Sequence, residues 1–168
     1  GGACVGLFCI PVLLQRPESR CVAFEPNPVA YKALQEMAVL NGVAERLTAH
    51  QVALFDHAGM RALKVSDIAL QCGLSTLGEP LRFGACHSEL VQTVMLDEYG
   101  LAPQLIKLDL EGAERYALCG ATGTLVQHHP ALIVEAYATN TAQFGYEAGE
   151  TGRFLEELGY RCHKGRED

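Results

Sequence analysis

The sequence predicts an α/β fold with a mostly parallel sheet covered by helices on both faces. Three observations predict it. Apolar runs of strand length alternate with segments of helical period, the pattern of parallel strands joined by crossover helices. Hydrophobic residues make up 49% of the chain and charged residues 20%, enough to build a sizeable core. Three strand-like runs end in a carboxylate, at Glu25, Asp109 and Glu135, and open parallel sheets bind ligands outside the carboxyl ends of their strands. At 168 residues without repeat or linker, positions 1–168 are read as one domain.

The elements follow in order. Residues 7–14 leave a glycine turn and suit a short helix, with Pro11 in its first turns, where a missing N–H costs least. Cys21-Val22-Ala23-Phe24 is a short buried strand. Asn27 can cap a helix that has Pro28 at its first position, runs to about Leu40 and stops at Asn41-Gly42. Residues 47–54 read as one strand, 55–59 as a turn and 62–65 as another strand. Residues 66–89 look irregular, and a loop of that length is usually functional. Strands are expected over 91–96, 104–108 and 131–134, a single helix over 112–128, and an amphipathic helix over 152–158.

Charge and cysteine usage narrow the function. There are 13 Lys+Arg against 20 Asp+Glu, a net charge of -7. That balance opposes non-specific nucleic-acid binding and docking on an anionic membrane surface. No apolar run reaches the ~20 residues of a membrane span. The 7 Cys form no CxxC pair. They are read as reduced and buried in a cytoplasmic protein, with a disulfide framework as the alternative. The 6 His lack metal-ligand spacing, so no metal is expected, and His87 is a reserve candidate for a base.

Three motifs carry chemistry. Gly2-Ala3-Cys4-Val5-Gly6 precedes a helix; glycines there let a ligand approach the backbone. Glu25 lies 19 positions after Gly6, the spacing of an acid that accepts from ribose hydroxyls in nucleotide-binding folds. The glycine pair is GxxxG rather than GxGxxG, which suits a carboxylate-bearing adenosine ligand better than a dinucleotide. Lys107-Leu108-Asp109-Leu110-Glu111-Gly112-Ala113-Glu114 packs three acids at a strand-to-helix junction. Acids there can stabilise a cationic donor or accept a proton, whereas Glu111 and Glu114 could equally serve the positive end of the next helix. Gly73-Leu74-Ser75-Thr76-Leu77 offers hydroxyls inside the long loop, or an ordinary turn.

Together the segments AFEPNP at 23–28, Asn41, ALFD at 53–56 with Gly59, GLSTL at 73–77, LDE at 96–98, IKLDLEGAE at 106–114 and the run from Pro130 to Glu135 resemble the FkbM-type S-adenosylmethionine-dependent methyltransferases. The resemblance covers nearly the whole chain and implies a class I methyltransferase fold, a Rossmann-like sandwich. It implies methyl transfer from S-adenosylmethionine to a hydroxyl of a sugar or secondary metabolite. By motif position Gly2, Ala3 and Gly6 would line the methionine end of the cofactor. Glu25 would hold the ribose, Asn27 would stand with the cofactor contacts, and Asp56 would sit near the adenine. Asp109 and Glu111 would face the reacting centre as the catalytic pair, with Asp109 also touching cofactor. Relative to the family, Cys4 replaces the usual Asn. The strand that usually precedes the glycine motif and the final antiparallel strand are expected to be missing. A non-catalytic remnant of the fold and an NAD-dependent oxidoreductase are the competing readings.

Overall fold

The computed structural model describes residues 1–66, 75–78 and 86–163. Helix α1 (Cys9–Gln15) carries Pro11 within its first turn, as the missing N–H requires. Strand β1 (Cys21–Phe24) pairs in parallel with β2 (Leu47–His50), Cys21 opposite Leu47. Between them, α2 (Pro28–Leu40) is capped by Asn27, whose Oδ1 accepts from the N–H groups of Val29 at 2.9 Å and Ala30 at 3.3 Å. Strands β6 (Leu105–Leu108) and β7 (Ala131–Val134) form a second parallel pair. Residues 1–3 run between the two pairs: the Ala3 N–H donates to the Phe24 carbonyl at 3.2 Å, and the Gly1 amino group to the Lys107 carbonyl at 2.8 Å.

Alternation along β1 shows how both faces are covered. Ala23 packs with Cys9, Ile10 and Leu13 of α1 and with Leu34 and Ala38 of α2. Phe24 packs on the other face with Leu108 of β6 and with Ala117, Leu118, Leu125 and Leu155. Those residues come from α3 (Glu114–Cys119), α4 (Thr122–His128) and α6 (Ala148–Glu157). A period of two along a strand buried on both sides produces this two-core arrangement. No helix among the described residues is long and apolar enough to cross a membrane.

Four expectations are corrected. The strand expected over 47–54 is β2 followed by a separate short β3 (Ala53–Leu54), which pairs in parallel with β5 (Cys86–Val94). The segment 66–89 is not irregular at its ends. Strand β4 (Gly59–Ser66) runs antiparallel to β5, with Gly59 opposite Thr93 and Ser66 opposite Cys86. The outer halves of both strands are solvated, so apolar periodicity does not mark them. The helix expected over 112–128 is two helices. Gly112 has φ 106, outside the helical region, and the chain breaks again at Gly120, where the Asp97 N–H donates to the Gly120 carbonyl at 3.0 Å. The Asp97 carboxylate then caps α4 from a distant segment, accepting from the N–H groups of Gly123 and Thr124, each at 2.8 Å. A short α5 (Ala138–Ala142) was not expected, and α6 begins earlier than residue 152.

Gly120 packs directly on the backbone of the β3 edge, and a Cβ there would collide with the Phe55 carbonyl oxygen. Gly120→Ala should therefore cost about 1–3 kcal/mol of stability, as overpacking does. Urea denaturation should show a lower midpoint at an unchanged slope.

Candidate active site

Strand pairing continues one residue past β1: the Glu25 N–H donates to the His50 carbonyl at 3.0 Å, which sets Glu25 at the strand tip. Its carboxylate is only 5% exposed. One oxygen accepts from the Cys4 N–H at 2.7 Å and the other from the Asn27 N–H at 2.9 Å. Burial pushes the Glu25 pKa above the ordinary value, and the Asn27 and Cys4 N–H donors pull against that. The glycine loop is thereby folded onto the strand tip. Gly2, Cys4 and Gly6 all take positive φ there, at 66, 48 and 94°.

Gly2 joins the two chemical motifs. A Cβ at this position would collide with the Asp109 carbonyl oxygen, so the glycine loop lies against the tip of β6. The two tips and the Ser75–Leu77 segment enclose a cavity of about 340 Å³, whose walls include Gly2, Ala3, Glu25, Ser75, Lys107 and Asp109.

At the tip of β6, Lys107 Nζ donates to Asp109 Oδ2 at 2.6 Å. These residues are two apart on a strand, so their side chains share a face. The Glu135 N–H donates to the Leu108 carbonyl at 3.0 Å, which brings Glu135 beside Asp109. Asp109, Glu111 and Glu135 offer carboxylate oxygens within 4.8 Å of one another, a spacing suited to sharing a proton or a cation. Burial first, and then the Asp109 and Glu111 charges, push the Glu135 pKa up to about 7. Behind them Glu114, buried at 1% exposure, accepts from the N–H groups of Leu110 at 2.6 Å and Gly112 at 3.1 Å. Glu114 thus holds the loop, and burial raises its pKa.

The structure brings Gly2, Ala3, Glu25 and Asp109 to one cavity and leaves other expected residues outside its lining. Gly6 serves packing: a Cβ there would come within 2.6 Å of Ile10 Cδ1 and 2.8 Å of Leu34 Cδ1. Asn27 is spent on capping α2, and its Nδ2 donates to Ser75 Oγ at 3.0 Å. Asp56 is bonded to its neighbour His57 at 2.6 Å rather than facing the cavity. Glu111 is outside the lining, and its carboxylate joins those of Asp109 and Glu135. His87 lies on β5 against Glu89 at 3.2 Å, away from the lining. Gly73 and Leu74 fall outside the described residues; Ser75 and Leu77 line the cavity, and Thr76 Oγ1 donates to the Glu111 carbonyl at 3.1 Å. Sequence reading marked Glu135 only as a strand tip and did not assign it to the site. It missed Asn140, Gln143 and Tyr146, which contact residues 111 and 112 from a polar stretch without periodicity.

Comparisons with known proteins agree with this architecture. The family model described as Methyltransferase FkbM domain matches residues 1–162. A crystal structure of methyltransferase FkbM from Methylobacillus flagellatus KT superposes with a TM-score of 0.62 at 18% sequence identity, over 94% of this chain and 35% of that one. The chain thus spans about a third of that protein's length, and the likeness concerns the fold, a class I methyltransferase-like α/β sandwich. No curated protein sequence matches the chain.

The raised Glu135 pKa has a definite sign for stability. An acid that holds its proton more tightly when folded loses stability as pH rises from the usual carboxylate range through about 7. Glu135→Gln removes that loss. The variant should melt above the unsubstituted protein at pH 8, and the two should converge at pH 5; a constant difference across that range would refute the assignment.

Proposed function

The chain belongs to the FkbM methyltransferase family, and from that premise we propose that its cavity binds S-adenosylmethionine and that it methylates a hydroxyl of a small molecule, a sugar or secondary metabolite. The observation that supports this reading is the convergence of Gly2, Glu25 and Asp109 on one cavity.

The residues present fit that cofactor. A carboxylate offers about four lone-pair sites, and Glu25 uses two of them on Cys4 and Asn27, which leaves two for a ribose diol. The Asp109, Glu111 and Glu135 carboxylates gather at one edge with Lys107 on Asp109, and such a crowd of acids favours a cation. Ala53, Leu54, Leu63 and Leu77 provide an apolar wall for a flat base. We read the setting as reducing and cytoplasmic because a buried thiol such as Cys9 serves as a small hydrophobe.

Bound S-adenosylmethionine would supply an electrophilic methyl group on a sulfonium. Asp109, on the cavity wall, is placed to orient an acceptor hydroxyl and take its proton. Lys107 Nζ holds the Asp109 carboxylate through Oδ2. Alignment of the two reactants supplies most of the acceleration, roughly 7–11 kcal/mol in well-oriented systems. Base assistance adds on the order of 10²–10⁴-fold.

Titration calorimetry with S-adenosylhomocysteine and with NAD tests the cofactor reading. S-adenosylhomocysteine should saturate one site, and at 100 times its Kd it should stabilise the fold by about 2.7 kcal/mol. Glu25→Gln should weaken it at least about tenfold, since an amide cannot accept from both N–H groups and a ribose diol. Saturable binding of NAD alone would end this reading.

A further inference from the structure

Residue 111 is where four separate segments meet. Its backbone is left-handed, with φ 51, although it carries a side chain. Thr76 Oγ1 and Gln143 Nε2 both donate to its carbonyl, each at 3.1 Å. Glu114 accepts from the N–H groups of Leu110 and Gly112, which fixes the residues on either side. Asn140 Nδ2 donates to Glu111 Oε2 at 2.7 Å. A Cβ at Gly112 would collide with the Asn140 carbonyl oxygen, so α5 packs on the loop backbone itself. Of these bonds, the one from Asn140 is made to the carboxylate.

That bond has the right chemistry for holding like charges together. The Glu111 oxygens lie among those of Asp109 and Glu135, and repulsion favours any rotamer that swings Glu111 away. An amide offers an N–H to a carboxylate without bringing a charge, whereas a lysine there would neutralise the edge it steadied. Asn140 is itself held: it is 7% exposed, and Thr139 Oγ1 donates to its Oδ1 at 3.4 Å.

We propose that Asn140 is a positioning residue that aims the Glu111 carboxylate at the Asp109–Glu135 edge and so, through Glu111, tunes recognition of the cofactor's cationic sulfonium. This rests on the cofactor reading above. Its signature is selective: S-adenosylmethionine carries the positive sulfur and S-adenosylhomocysteine does not, while the two share every other group but the methyl.

The test compares both ligands by calorimetry on the full chain, the near-isosteric and uncharged Asn140→Leu, Asn140→Ala as a second variant, Glu111→Gln, and Asn140→Leu combined with Glu111→Gln, with a melting curve for each. Either Asn140 variant, and Glu111→Gln alone, should weaken S-adenosylmethionine about tenfold, in line with the loss of a charge-assisted hydrogen bond, and S-adenosylhomocysteine by less than about threefold. The double variant should bind S-adenosylmethionine no more weakly than Glu111→Gln, because Asn140 acts through Glu111. Additive losses in the double variant, equal losses for both ligands, or unchanged affinity in folded Asn140 variants would each overturn the inference while leaving the cofactor reading intact. Unsubstituted protein that binds neither ligand would overturn both.

Discussion

The carboxylate of Glu25 holds the glycine-loop side of the molecule together. A glycine loop has no side chains with which to anchor itself, so its path must be fixed through backbone N–H groups. Glu25 takes two of them, from Cys4 and from Asn27. One bond draws the loop to the tip of β1, and the other sets the residue that caps α2. Desolvation of a carboxylate is costly unless donors repay it, and here both oxygens are met. Once the loop is fixed, Gly2 can lie against the Asp109 carbonyl, and the first chemical motif meets the second.

The second motif is organised on the opposite principle. Glu25 is satisfied by neutral donors, whereas Asp109, Glu111 and Glu135 are crowded against one another, with Lys107 paired to Asp109. Burial, and after it repulsion in this group, raises the Glu135 pKa to about 7, and a left-handed residue such as Glu111 costs about 1–2 kcal/mol on top. Folding alone gains nothing from such an arrangement. Its cost is met by the bonds that Glu114, Thr76, Asn140 and Gln143 make to the loop. Strain of this sort persists where the surroundings over-determine it and where a ligand can use it.

What the sequence made legible follows from which forces are local. Strand tips at Glu25, Asp109 and Glu135 were readable because an apolar run ending in an acid reports its own boundary. The cap at Asn27 was readable because side chain, Pro28 and helix are contiguous. The break between α3 and α4 was not, since its cap is Asp97, from a segment 26 residues away. The buried parts of β4 and β5 were readable as strands at 62–65 and from 91, but their solvated first halves were hidden because they lack alternation. Asn140 was hidden because its importance lies in a contact with a residue 29 positions earlier. Asp56 shows a local contact that a motif does not announce, since its carboxylate meets the ring of its own neighbour His57.

The contrast between the two acid sites also divides their labour. A carboxylate whose charge is already answered by fixed N–H groups responds little to the charge of a ligand; it can recognise hydroxyls through the lone pairs left to it. A crowded group with excess negative charge responds strongly, because a cation relieves repulsion that the fold has already sustained. In methyl transfer from a sulfonium the substrate cation becomes neutral as the acceptor loses its proton. On the function proposed above, an edge that stabilises the positive sulfur would then face no cation and would hold the released proton instead. Glu25 would hold cofactor and product alike, while the acids at the tips of β6 and β7 would distinguish them.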